Sequence, residues 1–237
     1  MRKIKNKKGA GHVEMIISFV IFLSFIVFIL IVFNPFRKPQ TGPSLDIIET
    51  KILNYVSTNL TVFSVRINSS AYGDINSESC FIVNYTMDNN LIIKDEQESI
   101  ISGKIENTEL YFENSGEFYR VYLSEELQEN DPGSSCHKIN KGNYTIGATR
   151  VYNKVSSSKL DGFFQEYNSG ENGYSQLKQN LSITDDFNVI ITSGGNIIYE
   201  ARRYKPEAID IIAKDVPIEI LDENANLNPV IMNIQVW

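Results

Sequence analysis

Few residues in this chain could do chemistry, and they lie far apart. Cys80 and Cys136 are the only cysteines, and His137 is one of two histidines. Two cysteines in an oxidising setting point to a disulfide, with two separate thiols as the alternative. A zinc site built from Cys80, Cys136 and His137 would need a fourth ligand. No C-x-x-C or H-x-x-x-H spacing supplies one, and His12 lies beyond a long apolar run. Asp222-x-Asn224-x-Asn226 starts like a calcium loop, but Leu227 stands where the turn needs Gly and Asn233 where a bidentate Glu belongs. No metal or cofactor is expected.

Catalytic constellations are no better assembled. Ser156-Ser157-Ser158-Lys159 matches S-x-x-K without the companion S-D-N and K-T-G motifs, and it also reads as a serine-rich helix start. There is no G-x-S-x-G elbow. A carboxylate pair such as Asp185-Asp186 reads as a solvated turn, so the chain is not expected to be an enzyme. Arg202-Arg203-Tyr204-Lys205 is bracketed by Glu200 and Glu207 and reads as a solvated strand end. Asn59, Asn68, Asn84, Asn143 and Asn180 each open an N-x-S/T sequon. Five is near what this composition gives by chance, so these are candidate glycosylation sites only.

The elements that must position these residues follow from periodicity. Ser44 reads as the cap of a helix over 45–56, with Leu45, Ile48, Ile52 and Tyr55 on one side. Strands are expected at 60–67, 81–87, 91–94 and 100–105, each rich in β-branched residues and bounded by turn formers. Segments 109–113 and 116–123 flank Asn114-Ser115 as a hairpin, with Leu110 and Phe112 on one face and Tyr111 on the other. A loop at 130–133 and a strand region at 144–155 follow. Residues 159–182 turn helical, with one stripe of Leu160, Phe163, Phe164 and Tyr167 and another of Tyr174, Leu177 and Leu181 after a break at 170–173. A second hairpin, 187–192 with 196–202, surrounds Ser193-Gly194-Gly195, and strands at 209–214, 218–221 and 230–236 finish the chain. The order helix–strands–helix–strands occurs twice about a split near Ser156. Without a residue-level repeat, one α+β domain over 45–237 is the simpler reading.

The first 44 residues differ in kind. Met15 to Phe33 runs for nineteen residues without a charge, an amide, a Gly or a Pro. As a helix it would be roughly 28 Å long, which predicts a transmembrane helix over 10–36. Residues 37–44, with two Pro and one Gly, read as a linker. Residues 1–38 hold seven of the 22 Lys and Arg and one of the 29 acids, leaving 15 basic and 28 acidic residues beyond, a net −13. That balance disfavours nucleic acid as a partner. Five basic residues precede the run and two follow it. This predicts a plasma-membrane protein of one span, its N-terminus cytoplasmic and its C-terminal domain extracellular.

Within the leader, Lys7-Lys8-Gly9-Ala10-Gly11-His12-Val13-Glu14 precedes the apolar run. A basic run, a Gly, four residues, a Glu and a long apolar helix together resemble the class III signal of type IV prepilins. The Asn- and Ile-rich remainder resembles archaeal pilin-like surface proteins. The resemblance covers about residues 1–35. It implies removal of the 1–9 leader by a prepilin peptidase after Gly9 and a mature N-terminus at Ala10. It further implies that Glu14 pairs with the α-amine of Ala10 of a neighbouring subunit. The chain departs from the family in having Ala first rather than an aromatic, in His12, and in Pro35, which should end the helix. The function implied is a pilin-like structural subunit or minor pilin, whose partners are the membrane, the peptidase and copies of itself or other pilins. The alternative is an unprocessed single-span surface module for binding or adhesion.

Overall fold

Strand dominates the molecule: 43% of it is strand and 27% helix. The computed structural model describes residues 10–33, 43–68, 78–86, 89–133, 136–204 and 210–237, with the backbone alone for 10–13, 30–33, 43 and 44. The α+β expectation is therefore corrected to a mostly β protein with four helices among the described residues. The chain divides into two units, Met1–Gly42 and Pro43–Trp237.

The first unit contains α1 (Ala10–Phe33). Among the described residues no helix is long and apolar enough to cross a membrane. The expected transmembrane helix, and with it the single-span plasma-membrane placement, is withdrawn on that finding. Gly9 and most of the expected linker lie outside the described residues.

The second unit opens with α2 (Pro43–Val56). Proline suits a first helical turn, where its missing N–H would be unpaired anyway. Leu45, Ile48, Ile52 and Val56 are buried at helical spacing. Val56 takes the place expected for Tyr55, which stays exposed and donates its hydroxyl to Glu166 Oε2 at 3.1 Å. Strand β1 (Ser57–Ile67) follows without an intervening residue.

The remaining early strands are β2 (Cys80–Asn84), β3 (Leu91–Lys94), β4 (Ile100–Ile101), β5 (Gly103–Glu106), β6 (Glu109–Glu113), β7 (Phe118–Leu123), β8 (His137–Lys138) and β9 (Tyr144–Ile146). Then come β10 (Arg150–Ser156), α3 (Ser157–Asn168), α4 (Glu171–Leu181), β11 (Phe187–Ser193), β12 (Asn196–Ala201), β13 (Ile212–Leu221) and β14 (Leu227–Val236). A ten-stranded sheet runs in the order β12-β11-β14-β13-β10-β1-β7-β3-β4, with β9 beside β1; a four-stranded sheet runs β5-β6-β2-β8.

β1 is the shared strand. Residues 57–62 pair antiparallel with β10 and 65–67 with β9, while 61–66 pair with β7. Along it, Phe63, Val65 and Ile67 meet Val121 and Tyr119 on the face covered by the four-stranded sheet, a core that includes Phe81, Leu110 and Phe112. α2, α3 and α4 cover β10, β11, β13 and β14 through a second core of Leu160, Phe163, Tyr167, Tyr174, Phe187, Met232 and Ile234. The opposite face of the large sheet carries a small third cluster of Leu60, Ile92, Tyr122, Leu127, Leu221 and Ala225.

Segment 109–123 does not form the expected hairpin. β6 pairs with β2 and β5, whereas β7 pairs with β1 and β3 in the other sheet. The turn instead wraps the Tyr119 hydroxyl, which accepts from the N–H groups of Ser115 and Gly116 and donates to the Gly116 carbonyl at 2.7 Å. The β11–β12 hairpin does form; Gly194 and Gly195 supply positive φ values of 57° and 84° that side chains disfavour. Strand 100–105 is broken at Ser102, and within 210–221 a single strand, Ile212–Leu221, takes the place of the two expected.

Candidate functional site

Among the described residues, twelve of the 22 exposed large hydrophobic side chains belong to α1. Met15, Ile16, Ile17 and Phe19 are 70%, 61%, 53% and 61% exposed, and Phe22, Phe25 and Phe28 are exposed as well. Successive positions turn by about 100°, so these side chains cover the whole circumference rather than a stripe. Of the two hydroxyls of the run, Ser18 and Ser24, that of Ser24 donates to the Val20 carbonyl at 2.8 Å. Glu14, the fifth residue of the helix, is exposed. Ala10 is the first helical residue.

Cys80 on β2 and Cys136 just before β8 are joined as a disulfide, with Cα atoms 4.4 Å apart. β2 and β8 run parallel, Phe81 opposite His137, so the bridge sits at the start of that pairing. Both sulfurs are thereby unavailable as thiolate ligands. Among the described residues no three His, Cys, Asp or Glu side chains converge on a metal position. His137 lies 3.7 Å from Glu78 Oε1 through Nδ1.

The other motifs resolve into local structure. Ser156 caps α3 by accepting from the Lys159 N–H at 3.0 Å, and Lys159 Nζ donates to the Ser57 carbonyl at 2.9 Å. S-x-x-K is thus a helix cap. Asp186 accepts from Tyr174 and Lys178 at 3.0 and 2.8 Å. Burial raises its carboxyl, and the bonds from Lys178 and Tyr174 outweigh that and leave it below the usual range. Arg203 lies 4.2 Å above the Tyr174 ring, bonds the Gly170 carbonyl and pairs with Glu171. Beneath it, burial pushes the Tyr167 and Tyr174 hydroxyls well above the usual range for tyrosine. Arg203 therefore ties the start of α4 to the segment that follows β12.

The sequons are spread out. Asn59 and Asn68 are exposed, Asn84 and Asn143 are half-buried, and exposed Asn180 donates to Glu166 Oε1 at 3.2 Å.

A feature the sequence reading missed is a groove of about 860 Å³ in the second unit. It exists because β10 and β13 run parallel for only two pairs, Val155 with Ile220 and Ser156 with Leu221, and then part. Leu53, Val155, Ile218, Val230 and Ile231 line it, with Asn54 and Asn153 on the rim. A smaller polar hollow shares Asn54, Ser57 and Asn153 and adds Asn59, Asn89, Glu125 and Lys159. Parallel pairing joins residues remote in sequence, so no local signal announced this split.

No family model, curated protein or solved structure matches the chain.

Proposed function

We propose that the chain is a pilin-like structural subunit, processed after Gly9, whose α1 helices pack against one another in an assembly of copies. The observation that carries this reading is the all-round apolar exposure of α1. A helix apolar on every side is stable only where something covers it. A bundle of like helices does so, and it would bring Glu14 of one copy to the Ala10 amine of the next, compensating a carboxylate that would otherwise be unpaired in an apolar setting.

Mass spectrometry of the protein purified from its native cells should find a mature N-terminus at Ala10, and electron microscopy should find filaments that Glu14→Ala abolishes. A chain that begins at Met1 and sediments as a monomer would sink the proposal.

The groove supports a second reading, a binding or adhesion module centred on the Pro43–Trp237 unit. Ile231→Asp would then abolish ligand capture while leaving the fold and any filaments intact. Unchanged capture would remove the groove from consideration.

A further inference from the structure

Lys94, on β3, is 5% exposed, yet among the described residues it has no carboxylate partner. Its Nζ donates to Asn226 Oδ1 at 2.8 Å and reaches the Ala225 carbonyl at 3.4 Å, with the Tyr122 ring centroid 5.4 Å away. Tyr122 and Ala225 belong to the buried cluster with Leu60, Ile92, Leu127 and Leu221. Asn226 is held from its other end: its Nδ2 donates to Asp222 Oδ2 at 3.0 Å, and its backbone N–H donates to Asp222 Oδ1 at 2.8 Å. An amine, a carboxamide and a carboxylate thus stand in contact in that order, beside a buried apolar cluster, with Asn226 itself exposed. The loop that began like a calcium site is closed on a lysine.

We propose that Lys94 and Asn226 become joined by an intramolecular isopeptide bond, with Asp222 transferring protons. The amine attacks Asn226 Cγ, which a rotation of the carboxamide turns toward it. The Nζ–Cγ bond forms and the Cγ–Nδ2 bond breaks. Nζ, starting as an ammonium, gives up two protons; Nδ2 keeps its two hydrogens, gains those two and departs as ammonium. Asp222 relays protons to the leaving nitrogen and ends unchanged, and nothing is oxidised or reduced. Preorganised contact of this kind replaces a bimolecular encounter, which is what makes amide exchange at a side chain feasible. The product would strap β3 to the β13–β14 connection across the outer face of the sheet.

The test is intact-mass and tryptic-peptide mass spectrometry of the purified full chain. The expected chain is one ammonia lighter than its disulfide-bonded sequence, and trypsin fails to cut after Lys94, which carries the Asn226 peptide as a branch. Lys94→Arg, Asn226→Ala and Asp222→Ala should each restore the full mass and the linear peptides. A wild-type chain of full mass, cut normally after Lys94, overturns the proposal. So does an ammonia loss without a branch, which would mark a succinimide at Asn226. The wild-type peptide map decides the matter even if a variant fails to fold.

Discussion

The two ends of the long sheet are roofed differently. One roof is three helices, each presenting a stripe read from its own sequence, such as Leu160, Phe163, Phe164 and Tyr167 on α3. The other is the four-stranded sheet, whose members β2, β5, β6 and β8 come from segments interleaved with strands of the large sheet. Each stripe of the first roof is encoded within its own helix, whereas the second roof brings together strands as far apart as Cys80 and Cys136, and such contacts must overcome loop-closure entropy before they contribute. The disulfide lies in the second roof, between β2 and the approach to β8.

That contrast can be broken by substitution. Phe112 is fully buried, with its ring 5.9 Å from Phe81 and 4.6 Å from Tyr119. Phe112→Ala should cost about 3–5 kcal/mol in chemical denaturation. Hydrogen exchange should speed up first in β2, β5 and β6, and equal acceleration in α3 and α4 would deny that the roofs are separable. Replacing both Cys80 and Cys136 by Ser opens a closure spanning 56 positions. On the chain-entropy account this costs about 4 kcal/mol, again expressed in the sheet roof. Gly103 has no room for a side chain between Ile93 and the Tyr111 carbonyl. Gly103→Val should therefore cost roughly 1–3 kcal/mol by overpacking the seam between the sheets, measured as a lower denaturation midpoint.

Smaller effects belong to the helix roof. Ser156→Ala removes the α3 cap and should cost about 1 kcal/mol, with thermal unfolding as the readout. Tyr199, stacked on Phe164, has its hydroxyl pushed up to about 12 by burial and then by the bond to Asp161. Because the folded value exceeds the unfolded one, near 10, this contribution is complete below pH ~10 and is lost as pH rises toward ~12. Tyr199→Phe should flatten the loss of stability over that window, and an unchanged alkaline profile would contradict the assignment.

How far the sequence could be read follows the same divide. The stripes of α3 and α4, the β11–β12 hairpin and the alternation of Leu110, Tyr111 and Phe112 were legible because their signals are local. The 109–123 hairpin misled because Asn114-Ser115 has turn chemistry whichever sheet the next strand joins, and the packing of Tyr119 decided the matter. β8, two residues long, carries no periodicity at all. Tyr55 was read as a core residue because its apolar ring falls at the right spacing; its hydroxyl and the adjacent Val56 made the outward position cheaper. The groove and the Lys94–Asn226–Asp222 contact were invisible, since each depends on strands far apart in the chain meeting side by side.

β1 also gives the second unit a mechanical character. The chain enters that unit through α2 and passes into β1 with no residue of slack. β1 is gripped along both edges, by β10 and β9 on one side and by β7 on the other. Tension drawn along β1 would shear these bonds together instead of peeling them one at a time. In force spectroscopy with the handle before Pro43, the unit should yield in a single high-force event, and a staircase of small ruptures would show that β1 does not act as the clamp.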